Sequence, residues 1–130
     1  MSEQISLFEA MGKEEGIRLL VDRFYDVMAT HPDTKGILNM HPKYLTSTRD
    51  KFYMFMVGWT GGPQLFVEKF GHPRLRMRHF PFKIGVSERD QWLLCFNTAV
   101  EDLNYSDDIK SVLMPAITGL ADHMRNQRES

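Results

Sequence analysis

The chain has 130 residues and a formal net charge of −1, which sets a single domain over 1–130 able to bury ~65–70% of its unfolded surface. The near-neutral charge argues against a nucleic-acid partner, which calls for a basic excess. One cysteine, Cys95, excludes an intramolecular disulfide and fits a reducing cytoplasmic setting. No run approaches the ~20 apolar residues of a membrane span, and the N-terminus lacks a signal-peptide pattern, so no membrane contact is expected. Nine methionines and nine phenylalanines suggest a plastic, aromatic interior that either packs as a soft core or takes a large flat ligand.

The elements in chain order read as helical nearly throughout, an all-α chain. Ser6 to Met11 forms a short first element that Gly12 interrupts. The spacing of Ile17, Leu20, Val21, Phe24, Val27 and Met28 predicts a helix from about Glu14 to Thr30, with Tyr25 at the stripe's edge. His31-Pro32 closes it, because a residue before proline avoids the α region. A looser stretch follows from Asp33 to Leu45. Thr46 or Ser47 then caps a helix running to about Trp59, with Phe52, Phe55, Met56 and Trp59 inward. Gly61-Gly62-Pro63 ends it. A short helix covers Gln64 to Gly71, and Pro73 is suited to open the next, which Pro81 limits to two turns. Ser87-x-x-Asp90 reads as a capping box before a helix that turns Trp92, Cys95, Phe96, Ala99 and Leu103 inward. Ser106 opens the last helix, whose inner face takes Ile109, Val112, Leu113, Ala116, Ile117, Leu120 and Met124, with Pro115 expected to kink it. No segment alternates with period two, so no sheet is expected.

The segment GHPRLRMRHFPF, residues 71–82, carries the most specific chemistry. In a helix here Leu75 and His79 are four apart and share a face, while Arg74 and Arg78 share the neighbouring one. One imidazole thus points inward with cations at the rim. Arginines at alternate positions could contact phosphates, but the rest of the chain is not basic. Zinc needs ligand spacings that His72 and His79, seven apart, do not supply. Haem needs one axial nitrogen, an apolar slot and cations for its propionates. On spacing alone, a satisfied histidine among solvated arginines is the favoured reading, because short motifs match by chance often.

Read together, Arg23-Phe24-Tyr25, Gly61-Gly62-Pro63, GHPRLRMRHFPF and Glu88-Arg89-Asp90-Gln91-Trp92-Leu93-Leu94-Cys95 resemble the truncated haemoglobins of group II, over roughly residues 5 to 125. The resemblance implies a two-over-two helical sandwich around haem b (iron protoporphyrin IX), with His79 as the proximal iron ligand. Tyr25 and Trp92 match the group's polar distal residues. Phe52, Phe55 and Met56 would line the pocket, Thr48 would take the distal position of ordinary globins, and the arginine cluster, with Arg76 and Arg78 as candidates, would help hold the propionates, the resemblance not fixing which arginine does so. The chain departs from the family at His41, where Tyr or Phe usually precedes the proline. His41 would then add a third polar distal group, able to coordinate iron when no gas is bound and to respond to pH near neutrality. His31, His72 and His123 read as structural or solvated, and Cys95 as a buried apolar residue.

The implied function is binding of dioxygen, with carbon monoxide and nitric oxide as further ligands. Two polar donors, the Tyr25 hydroxyl and the Trp92 indole N–H, would slow oxygen release. The alternative class is a haem redox enzyme, a nitric oxide dioxygenase or a peroxidase. The chain holds no flavin or nicotinamide domain, so that activity would need a separate reductase.

Overall fold

The computed structural model describes residues 6–79 and 81–127. Its longest helix, α2 (Lys13–Thr30), buries Ile17, Leu20, Val21, Phe24, Tyr25, Val27 and Met28, the face that the sequence spacing marks. It packs on both α4 (Thr46–Trp59) and α7 (Val86–Asp102), and α7 in turn carries α8 (Asp107–His123). Two helix pairs, α2 with α4 and α7 with α8, therefore stack as two layers, and no strand occurs among the described residues. Short elements fill the ends: α1 (Leu7–Ala10), α3 (Lys35–Leu38), α5 (Leu65–Phe70) and α6 (Leu75–His79).

Local chemistry explains most boundaries. The Ser6 hydroxyl accepts the Glu9 N–H at 3.2 Å and caps α1. Gly12 then turns the chain at φ +97, a left-handed conformation that glycine adopts without steric cost. His31 takes an extended conformation before Pro32 and ends α2. The fully buried Thr34 hydroxyl donates to the Met28 carbonyl at 2.9 Å, which satisfies a terminal carbonyl of α2.

Several boundaries differ from the sequence expectation. The stretch 33–45 is not loose throughout, since a 3₁₀ turn (Pro32–Thr34) and α3 occupy its first half. Thr46 is the first residue of α4 rather than its cap, and Leu45 precedes it without a side-chain cap. Pro73 does not open α6, because Arg74 has φ +45 and its N–H is taken by His72 Nδ1 at 3.0 Å. The left-handed residue delays the helix to Leu75. The start of α7 is capped from Glu88, whose carboxylate accepts the Gly85 N–H at 2.7 Å. Ser87 lies inside the helix, where its hydroxyl accepts from Gln91 at 3.0 Å. On α8 only the row Leu113, Ile117 and Ala121 is fully buried, while Val112 and Ala116 are exposed. The reason is that α8 packs mainly on α7 and α1, so its inner stripe is narrow. The helix runs unbroken through Pro115, whose missing N–H removes one rung at the Ser111 carbonyl.

Two glycines give opposite expectations. A Cβ at Gly16 would lie 1.7 Å from the Met11 carbonyl oxygen, whereas one at Gly119 meets nothing within 4 Å. Gly16→Ala should destabilise by ~2–4 kcal/mol, and Gly119→Ala on exposed α8 should stabilise by ~0.5–1 kcal/mol, both read from urea denaturation midpoints.

Candidate functional site

The two layers and the short α6 enclose a cavity of about 350 Å³, within the usual ~300–1,000 Å³ of small-molecule sites. α2 contributes Tyr25, α4 contributes Thr48, Phe52 and Phe55, and α7 contributes Trp92. His79 and Leu75 of α6 form the opposite wall, sharing a face as their spacing predicts. Lys51 and Arg78 also line the cavity and are exposed to solvent.

His79 is prepared as a ligand by its own helix. Its Nδ1 lies 2.6 Å from the Leu75 carbonyl, a contact in which Nδ1–H donates. The Nε2 lone pair is then left for a metal, the arrangement that fixes tautomer and ring orientation in metal-bound histidines. His41 is held in the same way, with Nδ1 2.7 Å from the Ile37 carbonyl. Burial holds its imidazole below the usual histidine value, with nearby His79 adding to the effect and the Ile37 bond opposing it. His41 is therefore neutral at physiological pH, and its change of charge moves to the acid side of the expected range.

An aromatic cluster orients the polar groups of the facing wall. The fully buried Phe24 ring stands edge-on to Tyr25 at 4.9 Å and to Trp92 at 5.1 Å. Trp92 also stacks on Phe96 at 5.5 Å, and Tyr25 meets the His41 ring at 5.9 Å. Each such pair restricts ring rotation as well as burying area. Burial pushes the Tyr25 hydroxyl well above the usual tyrosine range, against the opposing charge of Arg49. It stays protonated, so it remains a donor. Neither the Tyr25 hydroxyl nor the Trp92 indole N–H has a hydrogen-bond partner among the described residues.

The remaining expected residues fall as follows. Phe52 and Phe55 stack at 6.5 Å along the wall. Met56 does not join them: it is fully buried in the protein core, because one further residue turns ~100° around the helix. Arg78 lies at the rim, its Nε donating to the Pro73 carbonyl at 2.5 Å. The Arg76 side chain lies outside the described residues. Cys95 is fully buried, and burial raises its thiol to about 11.

Sequence reasoning missed Asn126. Its side-chain amide donates to the His79 carbonyl at 3.2 Å and to the Phe82 carbonyl at 2.7 Å, and its oxygen accepts the Ile84 N–H at 2.9 Å. One side chain thus fastens the segment after His79 to the end of α8. An asparagine 47 residues downstream gives no local signal of that role.

The donor set fits a flat apolar ring with one axial nitrogen and anionic groups at its edge. Residues 6–126 match the family model of the bacterial-like globins. The chain belongs to the bacterial-like globins. It is 40% identical over 123 residues to the group 2 truncated hemoglobin YjbI of Bacillus subtilis (strain 168), spanning 95% of this chain and 90% of that one. A group II 2-on-2 hemoglobin from the plant pathogen Agrobacterium tumefaciens superposes with a TM-score of 0.93 at 41% identity, over 98% of each chain. A truncated oxygen-avid haemoglobin from Bacillus subtilis superposes at 0.85 with 38% identity, over 94% of this chain and 100% of that one. This globin thus has the group II two-over-two architecture that the sequence motifs imply. Its cofactor is haem b, and it binds oxygen through haem. No helix among the described residues is long and apolar enough to cross a membrane.

Two outcomes follow from this geometry. Asn126→Ala removes the three hydrogen bonds to the segment after His79 and a fourth from Gln127 and should lower stability by ~2–3 kcal/mol, with faster amide exchange at Ile84 as the local signature. The raised Tyr25 value means that the unfolded chain loses this proton first. The associated stability is complete below the usual tyrosine value of about 10 and is lost as pH rises above it. Denaturation midpoints followed between about pH 9 and 11 should therefore fall, and fall less steeply in Tyr25→Phe.

Proposed function

We propose that this globin holds dioxygen tightly and releases it slowly, with His79 as the axial ligand and Tyr25 and Trp92 as donors to the gas. The observation that carries the reading is the pair of oriented donors facing the cavity without protein partners. When bound, haem b supplies an iron with a coordination position open to a diatomic gas.

The chain's own residues account for the rest. His79 Nε2 would hold the iron, with the Nδ1 contact to the Leu75 carbonyl fixing the tautomer and ring orientation. Phe52 and Phe55 would exclude water from the ring's face, and Arg78 at the rim would help neutralise the propionates. Tyr25 and Trp92 would donate to a bound gas that carries partial negative charge. A buried hydrogen bond to a charged partner contributes ~1.5–3 kcal/mol, and about 1.4 kcal/mol is a factor of ten in affinity. Dioxygen gains most from such donors. Carbon monoxide draws less charge and gains less, and nitric oxide enters the same site. Thr48 and the neutral His41 complete the distal wall. The oxygen-avid haemoglobin of Bacillus subtilis, similar along nearly the whole chain, supports tight oxygen binding here by analogy.

Stopped-flow oxygen dissociation tests this. Tyr25→Phe and Trp92→Leu should each release oxygen at least ~10-fold faster, with a smaller change for carbon monoxide. Wild-type rates in both variants would overturn the donor assignment. His79→Ala should lose or disturb the haem absorption band, and an unchanged band would overturn His79 as the axial ligand.

A further inference from the structure

The charge of this globin is segregated although its net value is small. Nine lysines and arginines lie from Thr34 to Ser87, against two acidic residues, Asp50 and Glu68. The two flanking segments together hold seven basic and fifteen acidic residues. The basic segment contains α6 and most of the cavity wall.

Part of that charge converges on one aromatic pair at the cavity mouth. Phe66 and Phe70 of α5 are 4.9 Å apart. Lys51 and Lys69 approach the Phe70 ring at 5.7 and 5.5 Å, and Arg78 the Phe66 ring at 5.3 Å. Phe70 is 38% exposed, and Val67 beside it 41%. Among the described residues, none of Lys51, Lys69, Arg78 and Lys83 forms an ion pair with a carboxylate, whereas Arg18, Arg23, Arg49 and Arg89 all do. Exposed cations beside like charges repel one another, so a surface of this kind is stabilised by an external anion. An exposed aromatic with a charged rim is also the usual anatomy of a protein docking site.

We propose that the Phe70 patch, with Lys51 and Lys69 over its ring, docks an acidic protein that carries a one-electron redox centre. The inference rests on the haem reading, because the patch borders the cavity. Docking there brings the partner's centre to the mouth. One electron leaves the reduced centre, which is oxidised, and enters the ferric iron, which becomes ferrous. No atom is transferred. The acidic flanks of the chain repel the same partner elsewhere and restrict where it lands.

The test uses the haem-loaded protein and oxidised flavodoxin, a small acidic flavin carrier, titrated by calorimetry. Binding should weaken at least ~10-fold as salt rises from about 50 to 300 mM. Lys69→Glu and Phe70→Ser should each weaken it ~5-fold or more, while Lys13→Glu, with the same change of charge on an acidic flank, should not. Reduction by flavodoxin hydroquinone should slow in parallel, with reduction by dithionite unchanged. Equal binding by Lys13→Glu and Lys69→Glu, or no binding in a protein whose haem band is intact, would overturn the docking site and leave the haem reading standing. Tighter binding to anionic phosphatidylglycerol vesicles or to duplex DNA would overturn it in favour of those partners. Loss of the haem band in wild type would instead defeat the reading beneath it.

Discussion

Three helices meet on the ring of Phe24. It lies at the centre of α2's inner face with no exposure, and its edges and faces contact Tyr25, Phe52, Trp92 and Phe96. The layers α2 with α4 and α7 with α8 are therefore joined through one aromatic side chain. The same ring that closes the core also sets the angles of the two polar groups facing the cavity. Packing and positioning are a single arrangement here, so a change that loosens the core also misaims the donors.

Burial acts on these donors in two ways. It removes competing water, which strengthens any hydrogen bond they make to a ligand. It also penalises the ionised form of Tyr25, so the hydroxyl keeps its proton over the range in which the protein functions. Two backbone carbonyls do the equivalent work for the histidines, one on each wall. Leu75 and Ile37 each occupy one imidazole nitrogen and turn the other toward the cavity. None of this needs a charged residue inside.

Much of this was legible in the sequence. The period of Ile17 to Met28 gave α2 and its buried face, because a helix that packs on two neighbours must be apolar along one stripe. The Leu75–His79 spacing placed the imidazole inward correctly, even though the start of that helix was misread. The error arose at Arg74, whose left-handed backbone depends on a hydrogen bond to His72, which no propensity encodes. Met56 lies on the core side of α4 rather than at the cavity, for a different reason. On a helix apolar nearly all round, hydrophobicity cannot tell the core side from the cavity side. Asn126 was invisible because its partners are remote in sequence.

Asn126 also imposes an order of events. The carbonyls and N–H that it fastens belong to residues 79, 82 and 84, which emerge from the ribosome more than forty residues earlier. Chains begin to fold from the N-terminus during synthesis, so the aromatic wall can assemble while the wall carrying His79 still lacks its clasp. The wall that carries His79 is therefore clasped only by the final residues of the chain, so the last part synthesised completes the pocket.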